Sequence, residues 1–298
     1  MPPKEWVATC LLLLLACLFF SPRVFAQNFE VQVYGSETIA PLRTMLESHT
    51  NMALRGSTHT VDGVLPTEHA LHETIEITQG FTPWFETGFY LFTSWQSGDG
   101  FQWVGDHIRP RVRAPEDWGW PVGAGLSFEF GYQRREFSTD TWTLEIRPII
   151  DKEIGPWYVS LNPTLDLSFK GENSNKGPEF VPNLKISYEF TELISGGIEY
   201  YGALGPLKGF DPLKQQEHLL FSVVDLDLGP QWEFNFGVGF GLTPATDRLL
   251  VKMILGYRFD FFAARGGKQA ATSCLHPSPS SHACRYGALL PDSFGAAR

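Results

Sequence analysis

Side chains from Leu249 to Phe261 alternate with a period of two. Leu249, Val251, Met253, Leu255, Tyr257, Phe259 and Phe261 are apolar or aromatic, while the set between them includes Lys252, Gly256, Arg258 and Asp260. In 121–133 the apolar set is Val122, Ala124, Leu126, Phe128, Phe130 and Tyr132, against Gly123, Gly125, Ser127, Glu129, Gly131 and Gln133. Residues 157–170 set Trp157, Val159, Leu161, Leu165, Leu167 and Phe169 against Tyr158, Ser160, Asn162, Thr164, Asp166, Ser168 and Lys170. In 231–242, Trp232, Phe234, Phe236, Val238, Phe240 and Leu242 face Glu233, Asn235 and three glycines. Period two marks a β-strand with unlike faces. Strands of soluble proteins usually hold about 5–6 residues, whereas a tilted strand needs about 9–11 to cross hydrocarbon. These apolar sets carry no charge and have the longer length.

About 12 such segments are expected, at 44–54, 70–80, 84–95, 101–113, 121–136, 141–152, 157–170, 179–191, 194–205, 217–228, 231–243 and 248–262. The implied fold is all-β, an up-and-down antiparallel transmembrane β-barrel. Loop lengths agree with that reading. With the N-terminus in the periplasm, the even-numbered connections are mostly short (81–83, 153–156, 192–193, 229–230), and the outside set includes 55–69, 171–178 and 206–216. Trp84, Trp157 and Trp232 fall where a strand leaves a short turn, and Trp95 and Trp142 lie towards the opposite ends. Tryptophan at both ends is the aromatic girdle of a membrane barrel. Gly256, Phe259 and Phe261 resemble the assembly signal on the last strand of bacterial outer-membrane proteins.

The N-terminal composition places the chain in an exported class. Lys4 precedes an apolar run of 14 residues, Val7 to Phe20, and Val24 and Ala26 mark a cleavage site. The run is too short to span a bilayer as a helix, so residues 1–26 read as a Sec-type signal peptide cleaved near Ala26. Removing Lys4, Arg23 and Glu5 leaves 21 basic and 32 acidic side chains, net −11, which argues against a nucleic-acid partner. Only Cys274 and Cys284 remain, both in a Ser-, Pro-, Ala- and Gly-rich stretch, 263–298, that reads as a disordered periplasmic tail. Residues 27–43 precede the first strand as an arm, either plugging the barrel from below or lying in the periplasm; Pro41 makes them a poor central strand.

With the apolar sets towards lipid, the other faces line the lumen. They carry His107, Arg109, Arg111, Arg113, Glu129, Arg135, Glu145, Arg147 and Asp151 on successive strands. Farther round come Asp166, Lys185, Glu189, Glu199, Asp225, Asp227, Glu233, Lys252, Arg258 and Asp260. One reading is a charged constriction that selects solutes. The other is a self-neutralising salt-bridge network, which the cost of unpaired buried charge favours. Arg109 and Arg111 are the best candidates for contact with a solute. Ser48, His49, Asn51, Ser57 and His59 invite comparison with outer-membrane lipid hydrolases, but strand parity puts Ser48 and His49 on opposite faces. No enzyme activity, cofactor or metal site is expected, and His69 and His72 read as a solvated face. Gly237, Gly239 and Gly241 alternate within a strand, so they leave room for a bulky neighbour or a sharp bend instead of cradling phosphate.

Across 28–262 the chain resembles the outer-membrane protein family named after the meta-pathway of phenol degradation. The resemblance is carried by "EVQVYGSETIAP", "HETIEITQGFTPWFETGFY", "VGDHIRPRVRAPEDWGWPVG", "EIRPIIDKEIGPWYVSLNPTLD" and "WEFNFGVGFGLT". It implies a mid-sized barrel that passes organic solutes and carries over no catalytic residue. The expectation is a monomer in the outer membrane, partnered by lipid, the assembly machinery and a small solute. Its role is passive passage of small organic or polar molecules; a sealed structural or interaction barrel is the alternative, and a lipid hydrolase the third reading.

Overall fold

The computed structural model describes residues 29–260. The signal peptide with its Ala26 site, Phe261 and the tail with Cys274 and Cys284 lie outside those residues. Twelve strands follow in order: β1 Thr44–Arg55, β2 Leu71–Thr82, β3 Phe85–Gln96, β4 Gly100–Arg113, β5 Gly123–Gln133, β6 Asp140–Ile154, β7 Trp157–Gly171, β8 Glu179–Thr191, β9 Ile194–Ala203, β10 Glu217–Leu226, β11 Trp232–Gly241 and β12 Leu249–Phe259. Each pairs with its chain neighbours, and β1 pairs antiparallel with β12, closing the barrel. Closure leaves no sheet edge, the condition a strand structure must meet in hydrocarbon.

The wall inverts a soluble core. Leu46, Ile77, Phe89, Leu91, Phe128, Ile150, Leu161 and Phe236 are exposed on the outside, while Glu47, His49, Glu76, Arg109, Asn162, Lys185 and Lys252 are buried inside. Connections at one end, the turn end, are 83–84, 114–122, 155–156, 192–193 and 227–231. The loop end carries 56–70, 97–99, 134–139, 172–178, 204–216 and 242–248.

Three departures from simple alternation matter. Strand β5 stops at Gln133, short of the expected 136, because the chain turns at Arg134 (Phe137 N–H to Arg134 carbonyl, 2.9 Å) and drops Phe137 into the barrel mouth. A bulge where β4 meets Phe92 and Thr93 resets parity, so Val104 is fully buried although odd-numbered Arg109 and Arg111 also face inward. Gly239 abuts the Phe221 ring, which is fully buried, so the glycine makes room for it.

Over the loop end, Thr67 Oγ1 donates to Asp247 Oδ1 at 2.7 Å, tying 56–70 to 242–248. Burial pushes the Asp247 carboxyl up to about 6, with Glu68 acting in the same direction. A folded-state value above the ordinary ~3.9 means this contribution is full below about pH 4 and is lost as pH rises through about 6. Amide exchange at Gly56 and Ser57, corrected for intrinsic rate, is therefore expected to accelerate from pH 4 to pH 7, at most about a hundredfold. A flat profile contradicts this.

Candidate functional site: the lumen and its arm

Residues 29–40 lie inside the barrel, and Pro41 and Leu42 are exposed at its turn end. From Arg43 at the turn end the chain climbs to Phe29, which packs on His72 (ring centroids 4.3 Å apart), Phe92 and, at 6.2 Å, the loop residue Phe137. A buried segment without strand pairing must find other partners for its backbone groups. The wall supplies them. Asn51 Nδ2 and Thr74 Oγ1 donate to the Phe29 carbonyl at 2.9 and 2.8 Å, and Lys252 Nζ to that of Val31 at 2.9 Å. Tyr34 N–H donates to Asn162 Oδ1 at 2.8 Å, and its carbonyl accepts from Ser160 Oγ at 2.6 Å and Asn162 Nδ2 at 3.0 Å. Arg111 donates to the carbonyls of Gly35 and Glu37, at 3.3 and 2.7 Å, and Ile39 N–H to Glu86 Oε2 at 2.5 Å. These partners come from β1, β2, β3, β4, β7 and β12, so the arm is held from around the lumen.

The Tyr34 ring is the hub. The guanidinium carbons of Arg147, Arg109 and Arg111 lie 4.5, 4.8 and 5.4 Å from its centroid, within cation–π range. Its hydroxyl meets Glu30 and, at 2.9 Å, Tyr90 Oη. At the arm's root, Gly80 lies against the carbonyls of Ile39 and Ala40, and Leu42 adopts φ 64° as the chain turns into β1. Gly80→Val would force that backbone away. It is expected to lower barrel stability by roughly 1–3 kcal/mol, read as an earlier loss of heat-modifiable migration on a gel; an unchanged transition contradicts the packing described.

The charges form two clusters. Arg109 bridges Glu76 and Glu86 (3.4 Å to the latter), and Arg111 meets Glu86 at 2.6 Å. Beside them His107 contacts Glu129 at 2.6 Å, and Arg147 contacts Glu145 at 2.5 Å. On the far side Lys185 meets Glu199 at 3.2 Å and Asp225 at 2.9 Å, and Lys252 also meets Glu199. Asp151 accepts from the Tyr158 hydroxyl at 3.1 Å, and Asp166 Oδ1, although buried, has no hydrogen-bond partner. Glu189 lies on β8 opposite Ser195. Nearer the turn end, Arg258 pairs with Glu233, and Arg43 with Asp260 at 3.2 Å.

Several expected lumen residues lie elsewhere. Arg135 sits in the 134–139 connection and pairs with Glu172 at 2.7 Å, because β5 ends before it. Arg113, at the last position of β4, pairs with exposed Glu116 of the following turn at 3.1 Å. Asp227 follows the end of β10 and accepts from the Gly229 amide at 3.0 Å. His72 is not solvated: it is 3% exposed under Phe29, whereas His69 is exposed. Glu47, Glu76 and Glu86 belong to no sequence motif, yet Glu76 alternates with Ile75 and Ile77, a parity that marks it as inward.

On the outer wall Trp84, Trp95, Trp142, Trp157 and Trp232 are 39 to 48% exposed, three near the turn end and two near the loop end. Gly256 faces inward beside Met45 and Glu47, and Phe259 ends β12. Ser48 also faces outward, its hydroxyl on Glu73, while His49 faces the lumen. Those two residues form no nucleophile–base pair.

An outer membrane channel from Pseudomonas putida F1 has a similar structure, with TM-score 0.53 at 11% identity over 77% of this chain and 100% of that one. The chain has the fold of an outer-membrane β-barrel. Similar too are KdgM porin (TM-score 0.47, 11% identity, 72% of this chain and 99% of that one) and outer membrane phospholipase A from Escherichia coli (0.44, 11%, 78% and 100%). The chain matches no family model and no curated protein.

Proposed function

We propose that this chain is a bacterial outer-membrane channel for small organic or polar solutes, exported through Sec with cleavage near Ala26 and closed at rest by its own N-terminal arm. The carrying observation is how the arm occupies the lumen. It sits against small polar side chains on β7, Ser160 and Asn162, and against large charged ones on β3 and β4, Glu86 and Arg111. If the arm leaves, it uncovers a polar passage lined by ion pairs such as Arg111–Glu86 and Lys185–Asp225. The wall's strand pairing does not pass through the arm, so the barrel stands without it. The turn end then faces the periplasm and the long loops face outside.

The resemblance to the family named after the meta-pathway of phenol degradation supports organic solutes, and the Pseudomonas putida protein is itself a channel. A permanently sealed barrel is the second reading, favoured by the ion pairs that hold Arg109 to Glu76 and Glu86 and Arg111 to Glu86. Single-channel recording of the intact chain and of a chain lacking residues 29–40 separates the two. Current appearing or multiplying on deletion supports the gated channel; silence in both supports the sealed barrel.

A further inference from the structure

Beside the arm, Glu47 and His49 of β1 and Glu76 of β2 converge on the inner wall. Glu47 and Glu76 are register partners across the β1–β2 pair, so two carboxylates stand directly opposite each other, 6% and 0% exposed. Like charges at that spacing repel, and burial raises the cost. His49, the next inward residue of β1, is fully buried beside them and makes no hydrogen bond through either ring nitrogen. Its Nε2 lies 3.5 Å from Glu76 Oε2, which also lacks a hydrogen-bond partner. Arg109 occupies the other oxygen of Glu76 and leaves Oε2 directed at the cluster. One donor atom from each of the three residues lies within 4.8 Å of the others. Gly256 on β12 makes the space: a Cβ there would stand 3.1 Å from Glu47 Cγ.

We propose that Glu47, His49 and Glu76 bind a divalent transition-metal ion of the zinc class. One imidazole and two carboxylates are a borderline nitrogen–oxygen donor set that suits Zn²⁺. Calcium, which takes about 6–8 oxygen ligands, finds too few here. Zinc–ligand bonds of about 2.0–2.2 Å bring donor atoms closer together than they stand, a change within reach of side-chain rotation. The ion's charge offsets Glu47 and the Oε2 side of Glu76, which Arg109 does not reach, and employs an unpartnered imidazole nitrogen. It would also tie β1 to β2 beneath Asn51 and Thr74, the residues that hold the arm's Phe29 carbonyl. The site stands independently of whether the barrel conducts.

The test uses the untagged full chain carrying Cys274→Ser and Cys284→Ser, so that tail thiols bind no metal. Folded protein in detergent is stripped with chelator, titrated with Zn²⁺ and assayed for bound metal. The His49→Asn and Glu47→Gln variants are measured beside it, with His218→Ala as control and heat-modifiable migration confirming the fold. Expected is one tight equivalent in the parent and in His218→Ala, weakened about 100-fold or more in His49→Asn and Glu47→Gln, since even loss of an outer-shell partner costs about 10–100-fold. Co²⁺ in place of Zn²⁺ should give visible ligand-field bands in the parent, which decides the matter if His49→Asn fails to fold. A parent that binds no equivalent, binding undiminished in a folded variant, or a Co²⁺ spectrum matching the free aqueous ion overturns the proposal.

Discussion

Removing residues 29–40 is expected to turn an electrically quiet membrane into one with frequent stepwise current. The arm contributes no strand pairing, and the ladder from β1 round to β12 is complete without it. What the deletion removes is lumen filling: Phe29, Val31, Val33, Tyr34 and Ile39 are all buried among wall residues. Each such side chain contributes about 1.5–3 kcal/mol by burial, partly offset by the entropy of ordering the arm. The barrel should therefore fold with reduced thermal stability. Wall groups that served the arm's backbone, Arg111, Lys252, Asn162, Ser160, Asn51 and Thr74, are polar and take water in its place. An emptied lumen lined this way wets and conducts, whereas an apolar one would resist wetting. A folded, silent deletion variant would show that the wall side chains alone block the path.

Arg109→Ala is expected to produce the largest loss of stability of any single lumen substitution. Arg109 is 2% exposed, bridges Glu76 and Glu86, donates to the Tyr90 hydroxyl and lies over the Tyr34 ring. Truncating one partner of a buried ion pair costs about 3–5 kcal/mol, because the other charge is left uncompensated. Here two carboxylates are left, although Arg111 still serves Glu86 at 2.6 Å. Arg109→Lys should rescue only part of the loss, because an ammonium cannot span both carboxylates and the phenol as a planar fork does. Adding Glu76→Gln to Arg109→Ala should recover stability. Urea unfolding followed by gel mobility reads all three variants, and equal stabilities would contradict the bridge. Pairing Arg109→Ala with Arg111→Ala also releases the Gly35 and Glu37 carbonyls, so openings should accompany the lost stability.

The strands were legible because hydrocarbon imposes a strict rule on every second residue. Segments such as 231–242 and 249–261 obey it without exception in their apolar sets, and all twelve expected strands occur within a few residues of their predicted bounds. Misplaced residues came from strand ends and bulges, which are decided by local turns. Arg135 left the lumen because Phe137 turns the chain back, and Val104 entered it through one extra residue on β4. Alternation reports which face a side chain occupies but not what it meets across the lumen. Lys252 on β12 reaches Glu199 on β9, three strands away, and Arg109 on β4 reaches Glu76 on β2. The arm was least legible, since 29–39 carries no membrane-imposed period and answers only to partners scattered from Asn51 to Lys252. Ser48 and His49 are neighbours in sequence, but the strand sends the two to opposite sides of the wall, as parity alone requires.

The central claim is that residues 29–40 occupy the lumen against β7. Ser160 is fully buried there with its hydroxyl on the Tyr34 carbonyl. Place a lone thiol there, Ser160→Cys with Cys274→Ser and Cys284→Ser, and measure its rate of reaction with a small membrane-impermeant thiol reagent on the folded protein in liposomes. The account predicts slow labelling in the full chain and labelling at least about tenfold faster when residues 29–40 are absent, an opening of about 1.4 kcal/mol or more if labelling follows the exposed population. Equal rates in the two proteins would contradict it.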